Sequence, residues 1–97
     1  MLTTYYDARE TRNPADREAG LMAALPRILH HAKEKSTGYG RILADIDPRT
    51  ITSRDALATL PVTRKSDLID AQARELPLAG LNATPVPAMA RMFQSPG

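Results

Sequence analysis

The sequence predicts a mainly α-helical chain with one β-strand near its C-terminal end. Three observations lead there. Apolar residues recur at helical spacing through the first third of the chain. Polar caps and prolines then bracket several short helices as far as residue 73. Residues 88–94 finally alternate side chains in the manner of a strand.

Residues 1–12 are polar with two tyrosines, and the first helix starts after them. Asn13 is a good N-cap, and Pro14 suits the first helical position, where its missing N–H has no intrahelical partner to lose. Asp16 suits the positive end of the helix dipole. Leu21, Met22, Leu25, Ile28, Leu29 and Ala32 then fall on one stripe of a 3.6-residue helix, with Arg17, Arg27, Lys33, Glu34 and Lys35 largely off it. Pro26 removes a hydrogen bond and costs roughly 3 kcal/mol in a helix interior. The stripe keeps its phase across it, which favours a kink near residues 22–26 over two separate helices. Ser36-Thr37-Gly38 ends the helix, with Gly38 free to take positive φ.

Tyr39 to Asp47 reads as a short second helix with Ile42, Leu43 and Ile46 inward, stopped by Asp47-Pro48. Thr52 or Ser53 caps the next, with Leu57 and Leu60 buried and Leu60-Pro61 as the break. Thr63 caps another, with Leu68 and Ile69 buried and the helix fading near Ala73. Residues 76–87 hold three prolines and a glycine and are expected to be looped or extended. In the strand from Ala88 to Gln94, Met89, Arg91 and Phe93 face one side and Ala90 and Met92 the other. No second strand is evident, so its partners are expected beyond Gly97. The chain thus divides into a helical part, residues 1–75, and a proline-rich connector with a first strand, residues 76–97.

The composition sets limits. Ninety-seven residues carry thirteen Lys and Arg against eleven Asp and Glu, a net charge of +2. That is no concentrated basic patch, so nucleic acid is not an expected partner. Cysteine is absent, which excludes disulfides, thiolate zinc sites and cysteine catalysis. The N-terminus lacks a signal peptide's basic and apolar regions, and no apolar run approaches the roughly 18–20 residues that span a bilayer. A soluble, cytoplasmic protein without a membrane partner is the expectation. Leu, Ile, Val and Phe total only 19 residues, so the core is thin and the helical part is expected to pack against something larger.

Candidate chemistry is sparse. His30 and Glu34 form an i, i+4 pair, but no third ligand completes a zinc site. Asp45 and Asp47 flank a helix end and read as solvated acids, and Ser36, Ser53 and Ser66 sit at helix ends. Arg64-Lys65 reads as an exposed pair in a first turn, and Tyr5, Tyr6 and Tyr39 as packing residues. No catalytic residue and no metal ligand set is assigned. The ending Phe93-Gln94-Ser95-Pro96-Gly97 is a strand running into Ser and Gly, the way many phosphate-cradling loops begin, though the tripeptide alone favours an ordinary turn.

The order of residues resembles the N-terminal part of the phenylacetate–CoA ligase family of AMP-forming, adenylate-forming enzymes. The resemblance rests on Tyr5-Tyr6-Asp7 with Glu10-Thr11-Arg12, on the long helix leading to Gly38-Tyr39, and above all on residues 57–68, LATLPVTRKSDL. It implies an N-terminal helical subdomain of a larger α/β enzyme, a structural cap on its adenylation domain. Such a parent joins an aryl or acyl acid to CoA through an acyl-adenylate, with ATP, Mg²⁺ and CoA required; a homodimer is a further partner the resemblance allows. The family's phosphate loop would open at Ser95 and Gly97, with Pro96 where serine or glycine is usual. Proline brings no N–H and no hydroxyl, and the loop's threonines and lysine are not in these 97 residues, so the chain alone is expected to be inactive.

Two alternatives stand beside the ligase reading. One is a degenerate, non-catalytic ligase relative. The other is a small helical interaction module. A helix-turn-helix made from residues 53–60 and 63–73 would present Asp67, Asp70 and Gln72 on its second helix, which serves DNA poorly, whereas an exposed Leu/Ile stripe can dock a protein partner.

Overall fold

The computed structural model describes residues 4–96, and Gly97 with its assigned place in a phosphate loop lies outside them. Four α-helices follow one another: α1 (Pro14–Lys35), α2 (Thr37–Ile42), α3 (Arg54–Leu57) and α4 (Lys65–Arg74). Single 3-10 turns occupy Ala8–Thr11, Pro48–Thr50 and Val86–Ala88. The mainly α expectation holds.

Local chemistry explains most helix ends. The Asn13 side chain accepts a hydrogen bond from the Asp16 N–H at 2.9 Å, and Pro14 opens α1. The helix runs unbroken through Pro26. Ser53 Oγ accepts from the Ala56 N–H at 3.1 Å and starts α3. The Asp47 and Asp7 carboxylates cap their 3-10 turns in the same way, accepting from Arg49 and Arg9 N–H groups.

The junction between α1 and α2 differs from the sequence expectation. Gly38 does not end α1 in a left-handed conformation; it lies inside α2 and is buried. Ser36 alone separates the helices. Its N–H donates to the Ala32 carbonyl at 3.0 Å and closes α1, while its Oγ accepts from the Tyr39 N–H at 3.1 Å and opens α2. Gly38 is required for a close approach instead. Its N–H donates to the Gly80 carbonyl at 2.7 Å, and Ser36 Oγ donates to the same oxygen at 2.9 Å. The turn that presents this carbonyl has left-handed φ at Ala79 (58°) and at Gly80 (69°). Glycine adopts that region freely, whereas Ala79 costs roughly 1 kcal/mol there.

The apolar core is small. Leu43, Ile51 and Ala79 are the buried hydrophobic residues among those described, with Ser36 as the buried polar one. Lys33 helps close this centre: its Nζ donates to the Ile46 carbonyl at 2.7 Å and to the Ala44 carbonyl at 3.3 Å, tying the end of α1 to the turn after α2. The α1 stripe is only partly covered. Met22, Leu25, Leu29 and Ala32 are half-buried, but Leu21 and Ile28 are 49% and 57% exposed. The Cα radius of gyration is 17.0 Å, against roughly 13 Å for a compact domain of about 100 residues.

Several expectations are corrected. No strand forms among the described residues: Val86–Ala88 is a 3-10 turn and residues 89–96 have no regular structure. Lacking a partner ladder, their backbone groups gain nothing from a strand conformation. Arg64, not Thr63, takes the cap position of α4, with no side-chain cap bond. Ile69 is 64% exposed and Leu57, Leu60 and Leu68 are half-buried, because no layer covers that side of α3 and α4. The second helix stops at Ile42, and Ile42 itself is exposed. Tyr5 and Tyr6 are exposed rather than packed.

A Cβ on Gly38 would lie 2.8 Å from both the Gly80 oxygen and Leu81 Cδ2, whereas one on Gly20 would meet only the tip of Arg12 at 3.4 Å. Gly38→Ala is therefore expected to lose about 1–3 kcal/mol, and Gly20→Ala to gain about 0.5–1 kcal/mol as a helix-interior replacement. Urea denaturation followed by far-UV circular dichroism checks both. Equal stability of the two variants would contradict the close approach.

Candidate functional site

The most featured concavity is an open cleft of about 360 Å³ where α2, α4 and the 79–81 turn converge. Gly38 and Ala79 form one wall through the contact described above, and Leu68 and Ala71 of α4 form the other. Pro61, Val62, Thr63 and Arg64 complete its mouth, so much of the LATLPVTRKSDL segment lines it. Three arginines, Arg41, Arg64 and Arg74, line it against one acid, Asp67. Arg41 is engaged, its guanidinium donating to Glu75 at 2.9 Å and tethering α2 to the end of α4. Guanidinium forks above an apolar floor suit a carboxylate or phosphate. The sequence pointed to Arg64-Lys65 only as an exposed pair. Arg41 and Arg74 join Arg64 only through the fold, which no local pattern reports.

The other candidates stay apart. Ser95 and Pro96 are exposed in the irregular C-terminal segment, and no strand leads into them. His30 Nε2 and Glu34 Oε2 pair at 2.8 Å, both largely exposed, and no cluster of three or more metal-ligating side chains occurs among the described residues. Asp47 receives the Arg49 backbone N–H and guanidinium, while Asp45 is exposed. Among the described residues no helix is long and apolar enough to cross a membrane.

The electrostatics report ion pairs. Hydrogen bonds from Arg9 hold the Asp7 carboxyl below its ordinary range, those from Arg49 do the same for Asp47, and those from Arg54 for Glu18. None of these three acids lines the cleft. The Glu18–Arg54 pair, a two-point contact, ties α1 to α3 across 36 residues. A carboxylate with a lowered folded-state pKa adds stability that is present above its unfolded value and lost as pH falls through the folded value. The Glu18 carboxyl is thus expected to titrate below an ordinary glutamate, and Arg54→Ala to return it there. A ¹³C NMR titration checks this; an unmoved midpoint in the variant would contradict the tether.

Comparison with known proteins finds no matching family model, no matching curated protein and no matching solved structure.

Proposed function

We propose that the chain is the N-terminal helical segment of a phenylacetate–CoA ligase-like, AMP-forming enzyme, a structural cap on an adenylation domain and not catalytic alone. The observation that carries this reading is the shortage of core. Three buried apolar residues among those described and a 17.0 Å radius of gyration belong to helices that leave much of their apolar surface in water. Large apolar side chains such as Val62, Leu76 and Phe93 are at least 80% exposed. Burying such side chains is worth about 1.5–3 kcal/mol each, so packing onto a larger body is strongly favoured. The LATLPVTRKSDL segment that carries the family resemblance runs from the last residue of α3 through a turn and a proline break into the start of α4, and its residues 61–64 line the arginine cleft.

ATP, Mg²⁺ and CoA belong to the parent in this reading. Ser95 and Pro96 lie exposed in an irregular segment, and proline brings no N–H to a phosphate. No step of the reaction is placed on this chain. Its contribution is mechanical: α1 to α4 would cover part of the adenylation domain and shape the approach to the acid pocket.

Two measurements test the proposal. The coding sequence after residue 97 is expected to continue into a Thr/Gly-rich loop followed by a lysine, and a different continuation would overturn the assignment. The 97-residue chain with ATP, Mg²⁺, phenylacetate and labelled pyrophosphate is expected to show no exchange above background. Robust exchange would show that the chain carries its own catalytic site.

A further inference from the structure

The cleft between α2, α4 and the 79–81 turn is unevenly charged along its length. Arg74, the last residue of α4, lines one end, next in sequence to the Glu75 that takes the Arg41 guanidinium. Two guanidiniums there meet one carboxylate. Arg74 is exposed and has no hydrogen-bond or ion-pair partner among the described residues. At the other end Arg64, in the cap position of α4, is offset by Asp67 three residues on. The two ends stand about 15 Å apart along the helix axis at 1.5 Å per residue. Leu68 and Ala71 lie between them, Ile42, Val62 and Leu81 add aliphatic side chains, and no aromatic ring lines the cleft. Leu68 and Leu81 also line an adjoining hollow of about 310 Å³ that holds no charged side chain, so the apolar ground continues beyond. The positive balance survives a wider count. All of α2 with residues 64–75 carries four basic residues against three acidic ones, and the 79–81 turn carries none.

We propose that this cleft is a binding site for a medium-chain aliphatic carboxylate, with its head group on Arg74 and its alkyl chain along Ala71 and Leu68. A free guanidinium fork matches a carboxylate. One net positive charge suits a monoanion and not a doubly charged phosphate monoester. A flexible alkyl chain follows an open aliphatic trough, whereas an aromatic acid finds no ring to stack on. The cleft volume of about 360 Å³ is that of a small-molecule site. The inference goes beyond the ligase reading, because every group it uses lies in this chain.

The test titrates the full ¹⁵N-labelled chain with sodium octanoate below its micellar range. Saturable shifts are expected at amides of residues 38–42, 61–74 and 79–81. Octan-1-ol and octylammonium are expected to bind at least about tenfold more weakly, for want of a charged partner to Arg74. Butyrate, four methylenes shorter, is expected to lose at least about tenfold as well, and phenylacetate and octyl phosphate to bind more weakly than octanoate. Arg74→Gln is expected to weaken octanoate at least about tenfold while leaving octan-1-ol unchanged; Arg74 has no partner among the described residues, so the change breaks no tether. Arg64→Gln is expected to stay within about threefold of the unaltered chain. Octan-1-ol binding as tightly as octanoate, phenylacetate binding more tightly, equal losses in the two arginine variants, shifts centred outside the cleft, or no saturable octanoate binding would each overturn the proposal. None of these readouts uses ATP chemistry, so the ligase assignment can fail without affecting them.

Discussion

One carbonyl oxygen, that of Gly80, joins the α1–α2 junction to the returning turn at 79–80. It accepts the Gly38 N–H and the Ser36 hydroxyl, closing a loop of 44 residues in sequence. The approach requires a residue without Cβ at 38 and a left-handed turn at 79–80. Ser36 then serves three partners: the end of α1, the start of α2 and the returning turn. A polar contact this central must be fully satisfied, because a buried hydroxyl without partners costs about 1–3 kcal/mol. Among the described residues no buried side-chain polar atom lacks a partner.

That dependence follows from the composition. With 19 Leu, Ile, Val and Phe in 97 residues, the chain cannot build a broad core. Leu43, Ile51 and Ala79 are the buried apolar residues among those described, and the rest is held by tethers: Lys33 to two carbonyls, Arg41 to Glu75, Arg54 to Glu18. Exposed ion pairs of this kind contribute little each. They set the course of the chain while leaving its apolar faces open. The arginine cleft beside α4 is a product of this economy, with basic groups around apolar ground.

The elements whose signals are local were legible in the sequence. Asn13-Pro14 and Ser53 start helices because a side-chain oxygen and a fixed φ act within three residues of themselves. The unbroken phase of the α1 stripe foretold its passage through Pro26. What depends on distant partners was not legible. Gly38 looked like a helix stop, yet its role is set by Gly80, which no local pattern connects to it. Residues 88–94 alternate like a strand, but alternation without a second strand supplies no ladder. Ile69 and Leu21 sit on apolar stripes and still face water, because a stripe predicts burial only where another layer exists to cover it. Of the site residues, Ser95 was placed by resemblance alone, whereas Arg41 and Arg74 became neighbours of Arg64 through the tertiary contact at Gly38.

The most direct measurement is amide hydrogen exchange at Gly38 in the intact chain. A hydrogen bond of 2.7 Å from a buried glycine to the Gly80 carbonyl should protect that amide as strongly as those in the middle of α1. Exchange of Gly38 as fast as the irregular residues 89–96 would show that the α1–α2 junction and the 79–80 turn are not joined there, and the fold described around that contact would be wrong.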